Sequence, residues 1–215
     1  MDYKTWCGDE ILYSMNNLQL STLMYYYDKS VADSFRSVLP IDNFVRDVVN
    51  RIDVSSQNTF IVNTKQEVNK REPGHWLFVQ VGPSSSGGGG DLEVIYFDSF
   101  AKPSEFYGVD FQETLVGLCV GGQIQTSPFR VQSNRSNLCG VYCLFVAYNL
   151  KLYANNLSTL ISSVFRPDAL LHNDEKLLDW VATQPFHYIF KSACAKEKEM
   201  CVSYTKLFGE QEEEH

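Results

Sequence analysis

One stretch that cannot pack a core, set between two strong apolar runs, constrains the fold of this chain more than any other feature. The stretch is Ser84-Ser85-Ser86-Gly87-Gly88-Gly89-Gly90. It has no apolar side chain and reads as a flexible loop. Residues 76–81 before it read as a strand, and Leu92-Glu93-Val94-Ile95-Tyr96-Phe97 after it as another. Two strands joined this way are neighbours in one sheet, so the stretch is a hairpin loop and not a domain linker. His75 stands just ahead of the first strand and Asp98 just behind the second. In a hairpin both lie at the ends away from the loop. That brings the Asp98 carboxylate within reach of an imidazole N–H, where it would set tautomer and orientation.

The remaining segments build around this hairpin. Residues 9–38 are expected to be mostly helical, with apolar side chains at Ile11, Leu12, Met15, Leu18, Leu23 and Met24, and Pro40 ends that stretch. Asp42 is placed to cap a second helix that buries Phe44, Val45, Val48 and Val49. Residues 59–62 form a short strand. Residues 111–119 form a helix stopped by Gly121-Gly122, and 124–131 one more strand, bent or on an edge at Pro128. Cys139 opens an unbroken apolar segment, Val141-Tyr142-Cys143-Leu144-Phe145-Val146-Ala147, that ends near Tyr153. Such a segment is a buried central helix. Two further helices cover 157–165 and 174–182. The expected fold is α+β: a central mixed or antiparallel sheet with surrounding helices, and Cys139 at the N-terminus of the buried one.

Size and charge narrow the classes. A chain of 215 residues holds one sizeable core, so 1–215 is expected to be a single domain. The formal net charge is −8, and four acids fall in 210–215, which is expected to be a flexible acidic tail. No basic run marks a strong nucleic-acid binder. No run approaches the roughly 20 apolar residues that span a bilayer, and Met1-Asp2-Tyr3-Lys4 does not lead into a signal-peptide core. The six cysteines, at 7, 119, 139, 143, 194 and 201, show no C-x-x-C spacing. A zinc site is not expected, and reduced thiols in an intracellular, reducing compartment are.

The chemistry concentrates in a few residues. A thiol at a helix N-terminus faces the positive end of the helix dipole and free backbone N–H groups, which favour the nucleophilic thiolate. The polar loop 133–137 argues that Cys139 reaches solvent, although a free Cys is more often a small core residue. Gln132, seven residues earlier, could donate an amide N–H to a developing oxyanion beside the backbone N–H of Cys139. Base, carboxylate, amide and thiol (His75, Asp98, Gln132, Cys139) are the parts of a cysteine-nucleophile acyl-transfer site. Other candidates have blander readings. His172 is solvated, His187 and Tyr188 belong to an aromatic cluster with Phe186 and Phe190, and His215 sits in the tail. Cys143 is buried packing one turn after Cys139. Ser133 and Ser136 lie in no Gly-x-Ser-x-Gly setting.

In this order and spacing the residues resemble the adenovirus-type cysteine protease (adenain) family, whose relatives are the proteases of ubiquitin-like proteins. The likeness runs through Phe60-Ile61-Val62-Asn63-Thr64, Gly74-His75-Trp76-Leu77, Phe97-Asp98-Ser99-Phe100, Val131-Gln132-Ser133-Asn134-Arg135-Ser136 and Cys139-Gly140-Val141-Tyr142-Cys143, and more faintly from 177 to 192. The interval of seven and the Ile-Val-Asn-Thr strand favour the viral branch. Leu138 stands where the ubiquitin-like-protein proteases carry Asp before the Cys, and Asp98 where adenain has Glu. The resemblance implies an adenain-like fold with a papain-like site and no cofactor. It implies cleavage after small residues, often Gly, in viral or virus-like-element precursor proteins, in host nucleus, cytoplasm or virion. It assigns His75, Asp98, Gln132 and Cys139 as the catalytic set, and Trp76 as a wall of a narrow substrate cleft. It also brings an activating peptide linked through a disulfide, for which Cys119 is the candidate, and activation by DNA, against which the acidic charge counts. A deconjugating peptidase for ubiquitin or a ubiquitin-like modifier is the alternative expectation. An inactive interaction domain is a third, against which retention of all four site residues counts.

Overall fold

The computed structural model describes residues 20, 21, 23, 24, 29–65, 74–84 and 90–184. Among these residues five strands form one sheet in sequential order: β1 (Phe35–Pro40), β2 (Asn58–Asn63), β3 (Trp76–Pro83), β4 (Leu92–Phe97) and β5 (Gly121–Thr126). The two inner pairings, β2 with β3 and β3 with β4, are antiparallel, and the two edge pairings are parallel. The sheet is therefore mixed. Helices α1 (Lys29–Ser34), α2 (Ile41–Asp47), α3 (Val109–Leu118), α4 (Cys139–Asn149), α5 (Leu157–Val164) and α6 (Leu170–Thr183) surround it. The architecture is α+β, with Cys139 as the first residue of a buried helix.

Strand alternation sorts the apolar residues onto two faces. Ile61, Trp76, Phe78, Ile95 and Phe97 join Cys139–Val146 of α4, with Leu157, Leu160 and Ile161 of α5 and Leu177 and Val181 of α6. Phe60, Val62, Leu77, Val79, Val81, Val94 and Tyr96 face the other way, onto Phe44 of α2 and Phe111, Leu115 and Leu118 of α3. Helix α4 is apolar all round because the sheet covers one side and α5 and α6 the other.

The hairpin pairs Phe78 with Phe97 at its outer end and Pro83 with Leu92 at the loop, where the Ser84 N–H donates to the Asp91 carbonyl at 2.9 Å. Positions 85–89 lie outside the described residues. So do most of 9–28, the aromatic cluster 186–190, Cys7, Cys194, Cys201 and the acidic tail. Leu23 and Met24 are helical and fully buried.

Three sequence expectations are corrected. The helical stretch stops at Ser34 rather than 38, and residues 35–40 are an edge strand parallel to β2. Phe35 and Leu39 are buried on opposite faces despite their even spacing, because a bulge between Phe35 and Ser37 reverses the alternation. The bulged Arg36 reaches Asn58 Oδ1 at 2.7 Å and Ser56 Oγ at 3.1 Å, which ties β1 to the start of β2. In α2 the cap position is Pro40, Asp42 lies inside the first turn, and Val49 is 70% exposed rather than buried. The last strand spans Gly121–Thr126, not 124–131. Gly122 belongs to it because a Cβ there would overlap the Leu92 carbonyl. The chain leaves the sheet at Ser127, whose hydroxyl turns to the Asp98 backbone, and Pro128 has no N–H to continue the ladder.

Candidate active site

His75 enters the structure through a close approach. A Cβ on Gly74 would overlap Asn63 Oδ1, so glycine lets the chain pass the end of β2 without displacing the Asn63 amide, whose Oδ1 accepts from the Lys65 N–H. The His75 N–H then donates to Thr64 Oγ1 and the His75 carbonyl accepts from the Thr64 N–H, each at 2.9 Å. With its backbone held twice, the ring packs on Phe100 (centroids 4.9 Å) and on Tyr107 (6.2 Å, 21° between planes).

Its Nε2 lies 2.7 Å from Asp98 Oδ1. Asp98 is fully buried, which a carboxylate tolerates only when its lone pairs are used. Here they are. Besides the imidazole, Oδ1 accepts from the Phe100 N–H at 2.8 Å, and Oδ2 accepts from the Lys102 N–H at 3.1 Å and from the Tyr107 hydroxyl at 2.7 Å. Burial alone would raise its pKa. The hydrogen bond and charge of His75, with the Phe100 N–H and Tyr107 hydroxyl, outweigh burial and hold the carboxyl below its usual range.

The Nε2–Asp98 contact leaves Nδ1 free of that carboxylate, and Cys139 is near enough to act on the ring and favour its charged form. Burial pulls the His75 pKa down, but Asp98 and Cys139 prevail and lift it to about 9. Cys139 is 8% exposed, at the first position of an eleven-residue helix whose preceding residue, Leu138, offers no side-chain cap. The first-turn N–H groups are thus left for whatever docks at the thiol. Cys143, one turn on, is fully buried, and burial pushes its thiol well above the ordinary value. Cys139 and Cys143 are both free thiols.

Gln132 is 1% exposed and held from two sides. Its Oε1 accepts from Ser99 Oγ at 2.6 Å, and its Nε2 donates to the Ser136 carbonyl at 2.6 Å. Those two bonds fix which way the amide points and leave its second N–H without a partner among the described residues. The Val131 and Gln132 N–H groups both donate to the Ser99 carbonyl, at 2.9 and 3.0 Å. Ser99 therefore ties Gln132 to the corner that holds Asp98 and His75.

The other candidates lie elsewhere. Trp76 is 4% exposed and packs in the core cluster with α4 rather than on an open wall. Cys119 follows α3 and packs, half-buried, against the cluster on the opposite face of the sheet. His172 is largely exposed beside Glu175. Among the described residues no group of three or more His, Cys, Asp or Glu is placed to hold a metal, and no helix is long and apolar enough to cross a membrane.

Sequence reasoning missed Tyr107, Ser99, Ser127, Asn173 and Asp174, all of which bond to the segments that carry the site. The Phe97-Asp98-Ser99-Phe100 run was a usable signal for Ser99. Nothing local to the other four marks them.

The His75 shift has a direct consequence. An imidazole with a pKa of about 9 is protonated through neutral pH and gives up that proton above pH 9. If the imidazolium is the acid that serves the leaving group, kcat/KM falls as pH rises through about 9. Asp98→Asn, which removes the carboxylate charge, should move this limb toward the ordinary imidazole value of about 6.5. A pH profile of both proteins checks this, and a limb that stays in place in the variant contradicts it. The same shift contributes to stability, in full below the unfolded value of about 6.5 and lost as pH rises through about 9.

No protein-family model matches the chain, and no curated protein does. Among solved structures it is similar to the pS273R protease of ASFV, at 15% identity and TM-score 0.44, covering 76% of this chain and 66% of that one. It is similar also to the central domain of the uncharacterized Lpg1148 protein from Legionella pneumophila, at 14% identity and TM-score 0.41, covering 87% of this chain and 98% of that one. A third is a de-sumoylating protease, at 14% identity and TM-score 0.33, covering 94% of this chain and 76% of that one. The chain spans just under two thirds of the first of these. At these values the reading of the site rests on its own geometry and chemistry.

Proposed function

We propose that the chain is a cysteine endopeptidase that cleaves protein substrates after small residues, Gly above all, with Cys139 as nucleophile, His75 as acid and base, Asp98 as orienting carboxylate and Gln132 in the oxyanion hole. The observation that carries this is the His75–Asp98 contact of 2.7 Å, with Cys139 at a helix start near enough to favour the charged form of the same ring. Structural histidines also pair with buried carboxylates, but they do not need a thiol at an uncapped helix start as a second partner.

In this reading Cys139 Sγ attacks the scissile carbonyl carbon as thiolate. The carbonyl oxygen takes the negative charge, stabilised by the Gln132 amide and the Cys139 backbone N–H. The C–N bond then breaks, the amine leaves with the His75 proton, and a thioester remains on Cys139. Water attacks the thioester, His75 takes its proton, and the acid product leaves as the thiolate returns. The preference for Gly and the source of the substrate in a viral or virus-like precursor come from the sequence resemblance.

Incubation with a panel of Gly-Gly peptides, and with ubiquitin-like modifiers bearing a C-terminal reporter, tests the reading. Cleavage of peptides after Gly is expected. Turnover of the modifiers alone would replace the endopeptidase with a deconjugating peptidase. Absence of any cleavage, with Cys139 no more reactive to iodoacetamide than Cys143, would remove both.

Gln132→Ala separates the amide from the thiol. An oxyanion donor acts mainly in the transition state, so its loss should lower kcat by about 10²–10³ with little change in KM. Alkylation of Cys139 by iodoacetamide forms no tetrahedral oxyanion and should proceed as in wild type. A near-normal kcat, or an unreactive Cys139, would give Gln132 another job.

A further inference from the structure

We propose that Asp174, with Asn173 beside it on α6, is a positioning residue for Gln132, holding the backbone on both sides of that amide so that its free N–H stays aimed at the reacting carbonyl. The inference rests on the cysteine-peptidase reading above.

Both residues are fully buried. They fall at the start of a helix whose other buried residues are Leu177 and Val181, so a carboxylate and an amide occupy places where apolar side chains would pack more cheaply. Their hydrogen bonds explain the choice. Asn173 Nδ2 donates to the Val131 carbonyl at 3.1 Å, and Asp174 Oδ2 accepts from the Ser133 N–H at 3.3 Å. Val131 and Ser133 are the two neighbours of Gln132, and each is held by one member of the pair. The remaining atoms point outward from this clamp. Asn173 Nδ2 also donates to the Arg166 carbonyl at 2.7 Å, and its Oδ1 accepts from the Arg166 N–H at 2.9 Å, which fixes the amide's orientation. Asp174 Oδ1 accepts from the Tyr142 hydroxyl at 2.9 Å.

Tyr142 connects the clamp to the nucleophile. It is the residue three after Cys139, fully buried on the same helix, and its Oη lies 3.1 Å from the Val131 carbonyl as well. A hydroxyl has one hydrogen and here two acceptors. Because Asn173 already serves the Val131 carbonyl, the Tyr142 hydrogen is free for Asp174, and every member of the set is satisfied. A buried polar network complete in this way specifies one geometry. This one fixes loop 131–133 relative to α4, which carries the thiol, while Ser99 fixes the same loop relative to Asp98.

A carboxylate that merely glued α6 to the loop would affect folding and leave the chemistry alone. A double-mutant cycle tells the two roles apart. Asp174→Ala should lower kcat roughly 10- to 100-fold with KM within about threefold, and in a Gln132→Ala background it should lower kcat by less than about threefold. Asp174→Asn can keep an acceptor for the Ser133 N–H and offer its NH₂ to Tyr142, whose hydrogen then turns to Val131, and should recover most of the lost kcat. An equal loss in both backgrounds, or an effect on KM alone, overturns the proposal. If Asp174→Ala does not fold, Tyr142→Phe keeps the ring in the core, removes the donor to Asp174, and should show the same dependence on Gln132. The clamp is also read without turnover: Asp174→Ala, or Tyr142→Phe in its place, should speed amide exchange at Ser133 by about tenfold or more. Unchanged exchange overturns the inference whatever the activity, whereas an inert wild type with an unreactive Cys139 sinks the peptidase reading itself.

Discussion

Cys139→Ala is expected to abolish peptide cleavage, with a loss of roughly five to six orders of magnitude in kcat, the scale seen when a covalent nucleophile is removed from a hydrolase. The substitution takes away only the atom that would bond to the substrate. Cys139 is 8% exposed at the edge of the core, so a missing Sγ opens little enclosed space, and thermal stability should change by about 1 kcal/mol or less. Cys143→Ala is the matching control. Its thiol is fully buried and held protonated, so its loss should cost stability and leave kcat close to wild type. Iodoacetamide should accordingly modify Cys139 before Cys143. A folded Cys139→Ala protein with wild-type kcat, or a folded Cys143→Ala protein with none, would reverse the assignment of nucleophile.

The parts of this site that could be read from sequence are those carried by local pattern. The apolar runs at 76–81 and 92–97, rich in β-branched and aromatic residues, mark two strands, the Ser/Gly run joins them, and pairing then follows with His75 and Asp98 at the same end. The apolar segment after Cys139 likewise announces a helix covered on all sides. What stayed hidden depends on partners distant in the chain. Phe-Arg-Ser-Val-Leu-Pro continues a helical pattern, and only the parallel β2, with Asn58 and Ser56 waiting for Arg36, turns it into a strand. Gly121-Gly122 reads as a helix stop; that it also opens an edge strand depends on how closely it meets Leu92. Asn173 and Asp174 look like the polar side of an amphipathic helix. Their inward direction is set by the orphan groups of a loop some 40 residues earlier, at Val131 and Ser133. Tyr107 is equally silent, because a tyrosine between a strand and a helix carries no local sign that its hydroxyl completes a buried carboxylate.

The second large effect is expected at the base. His75→Ala removes the imidazole that the proposed reaction uses to carry a proton to the leaving amine, and should lower kcat/KM by roughly 10⁴ or more. Asp98→Asn should cost less than loss of the base, up to about 10⁴, since the imidazole and its Phe100 and Thr64 supports remain. The amide is nevertheless a poor substitute at this position. Asp98 accepts four hydrogen bonds, two on each oxygen: His75 and the Phe100 N–H on Oδ1, the Lys102 N–H and the Tyr107 hydroxyl on Oδ2. Whichever way an Asn amide is turned, its NH₂ meets a backbone N–H, from Phe100 in one orientation and from Lys102 in the other. A buried donor set against a donor should also cost about 1–3 kcal/mol of stability. The variant should therefore lose activity and stability together, with kcat falling more than KM rises, because orientation of the imidazole matters most in the transition state. Exogenous imidazole should restore part of the activity of His75→Ala and none of that of Asp98→Asn, which still holds its own ring in the way. An Asp98→Asn protein with wild-type kcat/KM would show that the 2.7 Å contact is structural, and that another group orients His75.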